Sequence, residues 1–121
     1  MALKYFKREE FACPHCGENH IEQGFVQRLD KARAAAGVPF VINSGYRCKI
    51  HNADVGGVES SAHRVGLAAD IKTPNSVVRF KILKALLDEG FTRIGVYSEG
   101  AGDFIHVDAD PRKPAEVCWA K

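Results

Sequence analysis

His63 and Asp70 stand seven positions apart in Ser61-Ala62-His63-Arg64-Val65-Gly66-Leu67-Ala68-Ala69-Asp70. Imidazole nitrogen and carboxylate oxygen are both good zinc ligands, and with a third ligand one coordination position stays open to water. An odd separation sends two side chains to opposite faces of one regular strand. The pair converges only if His63 lies on the loop ahead of the strand and Gly66 allows a bend. Taken alone, it reads as a surface histidine and a solvated or capping aspartate. His106 changes the weighing. In Asp103-Phe104-Ile105-His106-Val107-Asp108, alternation puts Phe104 and His106 on one face and Ile105 and Val107 on the other. The flanking acids fit a third ligand next to a general base: Asp103 would approach from the start of the strand, and Asp108 is a candidate acceptor that orients an imidazole N–H. The alternative for this run is a hairpin end with ordinary turn acids.

These side chains must be positioned by the elements around them. Ile21, Phe25, Val26, Leu29, Ala32 and Ala36 recur at helical spacing, with Gly37 as a natural stop. Residues 1–12 read as irregular, with Tyr5, Phe6 and Phe11 available for packing. Phe40-Val41-Ile42 is a short β-prone run, residues 43–62 have loop-like composition, and Val65 to Ile71 suits a buried strand. Thr73-Pro74-Asn75 suits the start of a helix whose apolar face is Val78, Ile82, Leu83, Leu86 and Leu87, ending at Gly90. Two β-prone runs, Thr92 to Tyr97 and Phe104 to Val107, follow, joined through Gly100-Ala101-Gly102 as a hairpin. The tail from Pro111 is mostly polar but carries Trp119. The expected fold is α+β, a single small domain over residues 1–121 with two main helices and a mainly antiparallel sheet.

Composition excludes several classes of function. The chain has 121 residues, 45% hydrophobic and 26% charged, enough for one core. Seventeen Lys and Arg against 15 Asp and Glu leave a net charge of +2, so no nucleic-acid partner is expected. The apolar runs are too short to cross a bilayer. Lys4, Lys7, Arg8, Glu9 and Glu10 interrupt any apolar leader, so cytoplasmic synthesis without a signal peptide is expected.

Cys13-Pro14-His15-Cys16-Gly17 is a C-x-x-C knuckle of the kind that grips zinc. It lacks a second C-x-x-C, which together with the near-neutral charge argues against a nucleic-acid zinc ribbon. Cys48, Cys118 and His20 are candidate further ligands that only folding could bring together. A structural zinc at Cys13 and Cys16, disulfides formed after export, and free thiols all stay open; a thioredoxin-like role is disfavoured, because no strand precedes the motif and no helix starts at it. A metal here would staple the irregular N-terminal segment, residues 1–20, to the domain. His51 reads as an exposed loop residue, and Tyr46 and Trp119 as packing residues able to stack on a ligand.

The combined pattern resembles a known family. Ser61-x-His63-x-x-Gly66-x-Ala68-x-Asp70 followed by Asp103-x-x-His106 is similar to the zinc D-Ala-D-Ala metallopeptidases, a group that includes bacterial carboxypeptidases, phage endolysin peptidases and the zinc fold of hedgehog signalling domains. Ser44-Gly45-Tyr46-Arg47, Asn52-Ala53-Asp54-Val55-Gly56-Gly57 and Gly95-Val96-Tyr97 extend the likeness over residues 40–108. The resemblance implies a hedgehog/DD-peptidase-like fold, with catalytic zinc on His63, Asp70 and His106. It implies Asp103 as the acid/base residue, where many members carry Glu, and Arg47 as the contact to the substrate carbonyl or oxyanion. Ser61 is expected to line the substrate site or orient its loop. The function implied is hydrolysis of peptidoglycan stem peptides by metal-activated water, as a carboxypeptidase or, with an open groove, a lysin-like endopeptidase. Such a protein is expected to be a monomer that reaches the wall after release or as a virion component. The alternative is a non-catalytic zinc-containing wall-binding or virion structural protein on the same fold; an intact Asp103 and Arg47 argue against it.

Overall fold

The computed structural model describes residues 3–98 and 102–121. The helical stripe read from the sequence forms α1 (Gln23–Ala36), which buries Phe25, Val26, Leu29 and Ala32. The Glu22 carboxylate accepts from the N–H groups of Gly24 and Phe25, satisfying two of the donors a helix start leaves free, and Gly37 ends the helix at φ 70°. A six-residue helix, α2 (Lys49–Asp54), lies within the stretch expected to be loop, capped by the Cys48 side chain. That segment carries no apolar periodicity, so nothing in its composition announced a helix. The third helix, α3 (Ser76–Asp88), begins where Thr73-Pro74-Asn75 placed it, with the Asn75 side chain accepting from the Val78 N–H.

Five strands form one sheet: β1 (Ile42–Ser44), β2 (Ala68–Lys72), β3 (Arg93–Tyr97), β4 (Phe104–Asp108) and β5 (Val117–Ala120). Their order is β1-β2-β4-β3-β5, antiparallel throughout except for the parallel pair β3–β5. The small α+β domain with a mostly antiparallel sheet is thus the expected one. Several details differ. Strand β2 starts at Ala68, because Ala62–Val65 is a 3-10 turn closed by Gly66 at φ 73°. Strand β1 lies two residues later than the Phe40–Ile42 run, and Arg8–Phe11 forms a further 3-10 turn in the irregular N-terminal segment. Most of the expected Gly100-Ala101-Gly102 link lies outside the described residues.

Alternation divides the sheet into two chemistries. Ala69, Ile71, Ile94, Ile105 and Val107 join the buried apolar core with Phe25, Leu29, Ile82 and Leu86 of α1 and α3. The opposite face carries the polar set, and the strand register puts much of it in one row. Ser44 pairs with Asp70, Asp70 with His106, His106 with Gly95, and Gly95 with Trp119.

Gly66 is required twice over. Its left-handed backbone disfavours any side chain, and a Cβ there would run into the backbone carbonyl of His20. The neighbouring Glu22 N–H donates to the Gly66 carbonyl at 2.8 Å, so the two segments cannot easily separate. Gly66→Ala is expected to cost roughly 1–3 kcal/mol from backbone strain and more from the clash. Thermal unfolding of the metal-free protein measures it, and an unchanged midpoint would contradict the role given to Gly66.

Candidate metal centre and cleft

The 3-10 turn Ala62–Val65 exists to aim His63. The Ser61 hydroxyl accepts from the His63 N–H at 3.2 Å and caps the turn, so Ser61 orients this loop while also lining the cleft. The His63 ring is buried, and its Nδ1 lies 2.7 Å from the Gly45 carbonyl oxygen. A carbonyl only accepts, so Nδ1 carries the proton and the Nε2 lone pair faces the interior of the site. Nε2 is 3.3 Å from Asp70 Oδ1. His106 reaches the same oxygen from β4, with Nδ1 at 2.9 Å. The donor atoms of His63, Asp70 and His106 all lie within 4.8 Å of one another.

Each partner is held from behind. His106 Nε2 lies 2.7 Å from Asp108 Oδ2, whose other oxygen accepts from Arg93 Nε at 2.8 Å. Asp70 Oδ2 accepts from Arg47 Nη2 at 3.3 Å. Arg47 is fixed in turn by the Ser44 hydroxyl at 3.0 Å and the Asn52 side-chain oxygen at 3.4 Å. Burial works to raise the Asp70 carboxyl, but the hydrogen bond from His106 Nδ1 and the neighbouring His63 ring outweigh it and hold it well below the usual carboxylate range. Burial likewise works to lower His106, yet Asp108 and Asp70, one at each ring nitrogen, push it up.

Two imidazole nitrogens and one carboxylate oxygen, with a carboxylate and a carbonyl orienting the rings, form a donor set suited to zinc. The residues present fit the metal. Zinc competes there with a proton on His106, which the Asp70 and Asp108 carboxylates favour from either side. Because the folded value of His106 is raised, that proton contributes stability fully below the ordinary imidazole value of about 6.5, and the contribution is lost as pH rises through the raised value. Zinc must displace this proton, so binding at a pH below the raised value is expected to release it, and apparent affinity should fall as pH falls. Calorimetric titration in buffers of different ionisation enthalpy reads the release; a binding heat independent of buffer would contradict it.

Two clefts adjoin at Asp70 of the centre. One, of about 340 Å³, is lined by Arg47, Ser61, His63, Asp70, His106 and Trp119 among others. The other, of about 540 Å³, runs past Asn43, Lys72 and Thr73 to Asp103. They share Asp70 and Phe104. Asp103 is exposed and directly precedes β4, its carbonyl accepting from the Thr73 N–H at 3.0 Å. Among the described residues three acids line these clefts. Asp70 and Asp108 have both oxygens engaged by the histidines, the arginines and the Asp110 N–H, which leaves Asp103 as the exposed acid along the larger cleft.

A family model described as Peptidase M15 matches residues 4–108. The chain belongs to the peptidase M15 family. No curated protein matches it. M15 peptidases are zinc enzymes, so membership supports a metallopeptidase and agrees with the donor set at His63, Asp70 and His106. The match is wider than residues 40–108, which carried the resemblance, and includes the N-terminal knuckle.

Other residues of the M15 cleft were not legible in the sequence. Asn52, on the unforeseen α2, braces Arg47 and donates to the Val58 carbonyl at 2.8 Å. Trp119 lies beyond the matched span, in the tail that reads as polar. On β5 its ring lies 5.6 Å from that of His106, and its Nε1 donates to the Tyr97 hydroxyl at 2.8 Å. Gly95 makes this possible, since a Cβ there would collide with the indole. Tyr97 in turn stacks on Phe104 at 4.6 Å. His51 lies on α2, not on a loop, with its ring stacked 6.5 Å from that of His15. None of the four cysteines is in a disulfide; Cys48 joins Cys13 and Cys16, whereas Cys118 and His20 do not. His20 instead pairs with Glu18 at 3.4 Å and packs on Tyr46.

Proposed function

We propose that this M15 domain is a zinc-dependent endopeptidase that cuts peptidoglycan stem peptides. The observation that carries the reading is a preoriented His63–Asp70–His106 donor set at the meeting point of two open clefts, with Asp103 along one and Arg47 in the other. A groove continuing on both sides of the reacting bond suits an internal bond better than a blind pocket for a terminal residue. When bound, zinc supplies a Lewis acid and a water activated near neutral pH. The Asp103 carboxylate takes the proton of the attacking water and returns it to the departing amine. Arg47, fixed by Ser44 and Asn52, holds positive charge beside the Asp70 oxygen, where a polarised substrate carbonyl develops negative charge. Trp119, Tyr97 and Phe104 form an aromatic wall on which the peptide lies.

The wall substrate rests on the resemblance to D-Ala-D-Ala peptidases and endolysins. The protein would meet that substrate after release or lysis, or as a virion component. Digestion of purified peptidoglycan by the zinc-loaded protein, with mass spectrometry of the fragments, tests the reading. A new amine terminus within the stem peptide, without release of free D-alanine, is the expected result. Metal-loaded protein that leaves peptidoglycan and its soluble stem peptides uncut would overturn it in favour of a binding module on the same fold.

A further inference from the structure

A second constellation stands outside the catalytic centre. The Sγ atoms of Cys13, Cys16 and Cys48 lie within 4.8 Å of one another, although 35 positions separate the first from the last. The knuckle is shaped for this. The Cys13 N–H donates to the Glu18 carbonyl and the Gly17 N–H to the Cys13 carbonyl, both at 2.8 Å, with Gly17 at φ 76°. Two of the sulfurs also receive backbone donors: the Cys48 N–H points at Cys13 Sγ at 3.5 Å and the His51 N–H at Cys48 Sγ at 3.4 Å. Such donors stabilise thiolate over thiol.

An imidazole stands beside the group: His15 Nδ1 is 3.6 Å from Cys48 Sγ. Tetrahedral zinc with Zn–S of about 2.3 Å and Zn–N of about 2.0–2.1 Å separates neighbouring sulfur and nitrogen by about 3.6 Å. A disulfide between any two of the cysteines would leave the third beside it unused. A single divalent cation accounts for all three. We propose that Cys13, Cys16 and Cys48 form a structural zinc site distinct from the catalytic one, with His15 closing in from beside Cys48 as the fourth ligand. Binding releases the thiol protons to solvent and closes the coordination sphere, leaving no position for substrate.

The site does more than staple the N-terminal segment. Residues 11–13 run beside residues 46–48, with the Tyr46 N–H donating to the Phe11 carbonyl at 2.8 Å and the Cys48 N–H directed at Cys13 at the same offset. Between them the Gly45 carbonyl orients His63, and Arg47 reaches Asp70. Gly45 approaches the Phe11 backbone so closely that a Cβ would lie 2.7 Å from it. Cys48 is also the cap of α2, which carries Asn52. The second zinc therefore clamps the Cys48 end of the segment that positions Arg47 and His63, while the Tyr46–Phe11 hydrogen bond holds its other end.

The experiment is metal analysis of the full chain purified under reducing conditions, joined to the spectrum of its cobalt(II)-substituted form. About two zinc ions per chain are expected, with thiolate-to-cobalt charge-transfer absorption. His63→Ala should lose one zinc yet keep that absorption, since the catalytic donors are nitrogen and oxygen only. Cys48→Ser should lose the absorption and the second zinc, and His15→Ala should shift the cobalt d–d bands. Zinc-edge X-ray absorption of the unmutated protein needs no variant to fold, and should show sulfur in the average shell. Absence of sulfur from that shell, or a mass lower by two hydrogens that reveals a disulfide, would overturn the site whatever the fate of the peptidase reading. Unaltered d–d bands in His15→Ala would overturn His15 as the fourth ligand.

Discussion

Asp103→Ala is expected to keep its zinc and its fold while losing about 10²–10⁴-fold in kcat, the range for removing a general acid–base group. The side chain is exposed and contributes nothing to the His63–Asp70–His106 donor set, so its removal leaves the ligands and their supports unchanged. Its backbone carbonyl, which ties β4 to Thr73, survives the substitution. The proposed role of Asp103 follows from the disposition of the other described acids at the clefts. Asp70 faces both histidines and Arg47, and Asp108 is engaged by His106, Arg93 and Asp110. A carboxylate so committed cannot accept a proton from water without breaking the support of a ligand. Zinc per chain, unfolding midpoint and kcat on a soluble stem peptide measure the outcome. Loss of zinc would make Asp103 a ligand, and undiminished turnover would place the base elsewhere.

The sheet face could be foreseen for β4 because alternation leaves little freedom. In Phe104-Ile105-His106-Val107-Asp108 the apolar pair must face the core, which turns His106 and Asp108 together to the other side. The His63–Asp70 spacing was informative for the opposite reason. Seven positions do not suit one strand, so a break was required, and Gly66 at φ 73° supplies it. What could not be read was pairing between distant segments. Nothing local in Val117-Cys118-Trp119-Ala120 shows that it adds in parallel beside β3, because a short edge strand draws its pattern from its partner. Trp119 could therefore be read as able to stack on a ligand, but not as part of this cleft. The three-cysteine group was hidden for the same reason: the knuckle was plain, but its third sulfur depends on residues 11–13 lying beside residues 46–48. Helix α2 was missed because its six residues are organised by the Cys48 cap and by Asn52, with no apolar stripe to mark them.

His106→Ala and His63→Ala are each expected to lose about one zinc per chain and all measurable hydrolysis, because a two-ligand remnant no longer holds the metal. Asp108→Asn tests whether the support behind His106 matters in its own right. Asn can still accept from the imidazole but lacks the charge that raises the ring's basicity and balances Arg93, which donates to Asp108 at 2.8 Å. The expected result is zinc affinity weaker by about 10–100-fold, the usual consequence of removing such a partner. Activity should be restored by excess zinc, which cannot rescue His106→Ala. Titration with a competing chelator separates the three cases. Asp108→Asn with unmodified affinity would mean that Asp108 serves only to neutralise Arg93 within the sheet face. Zinc retained by His106→Ala at the nitrogen- and oxygen-ligated site would remove β4 from the metal centre, and with it the reason for the Asp70–His106 register.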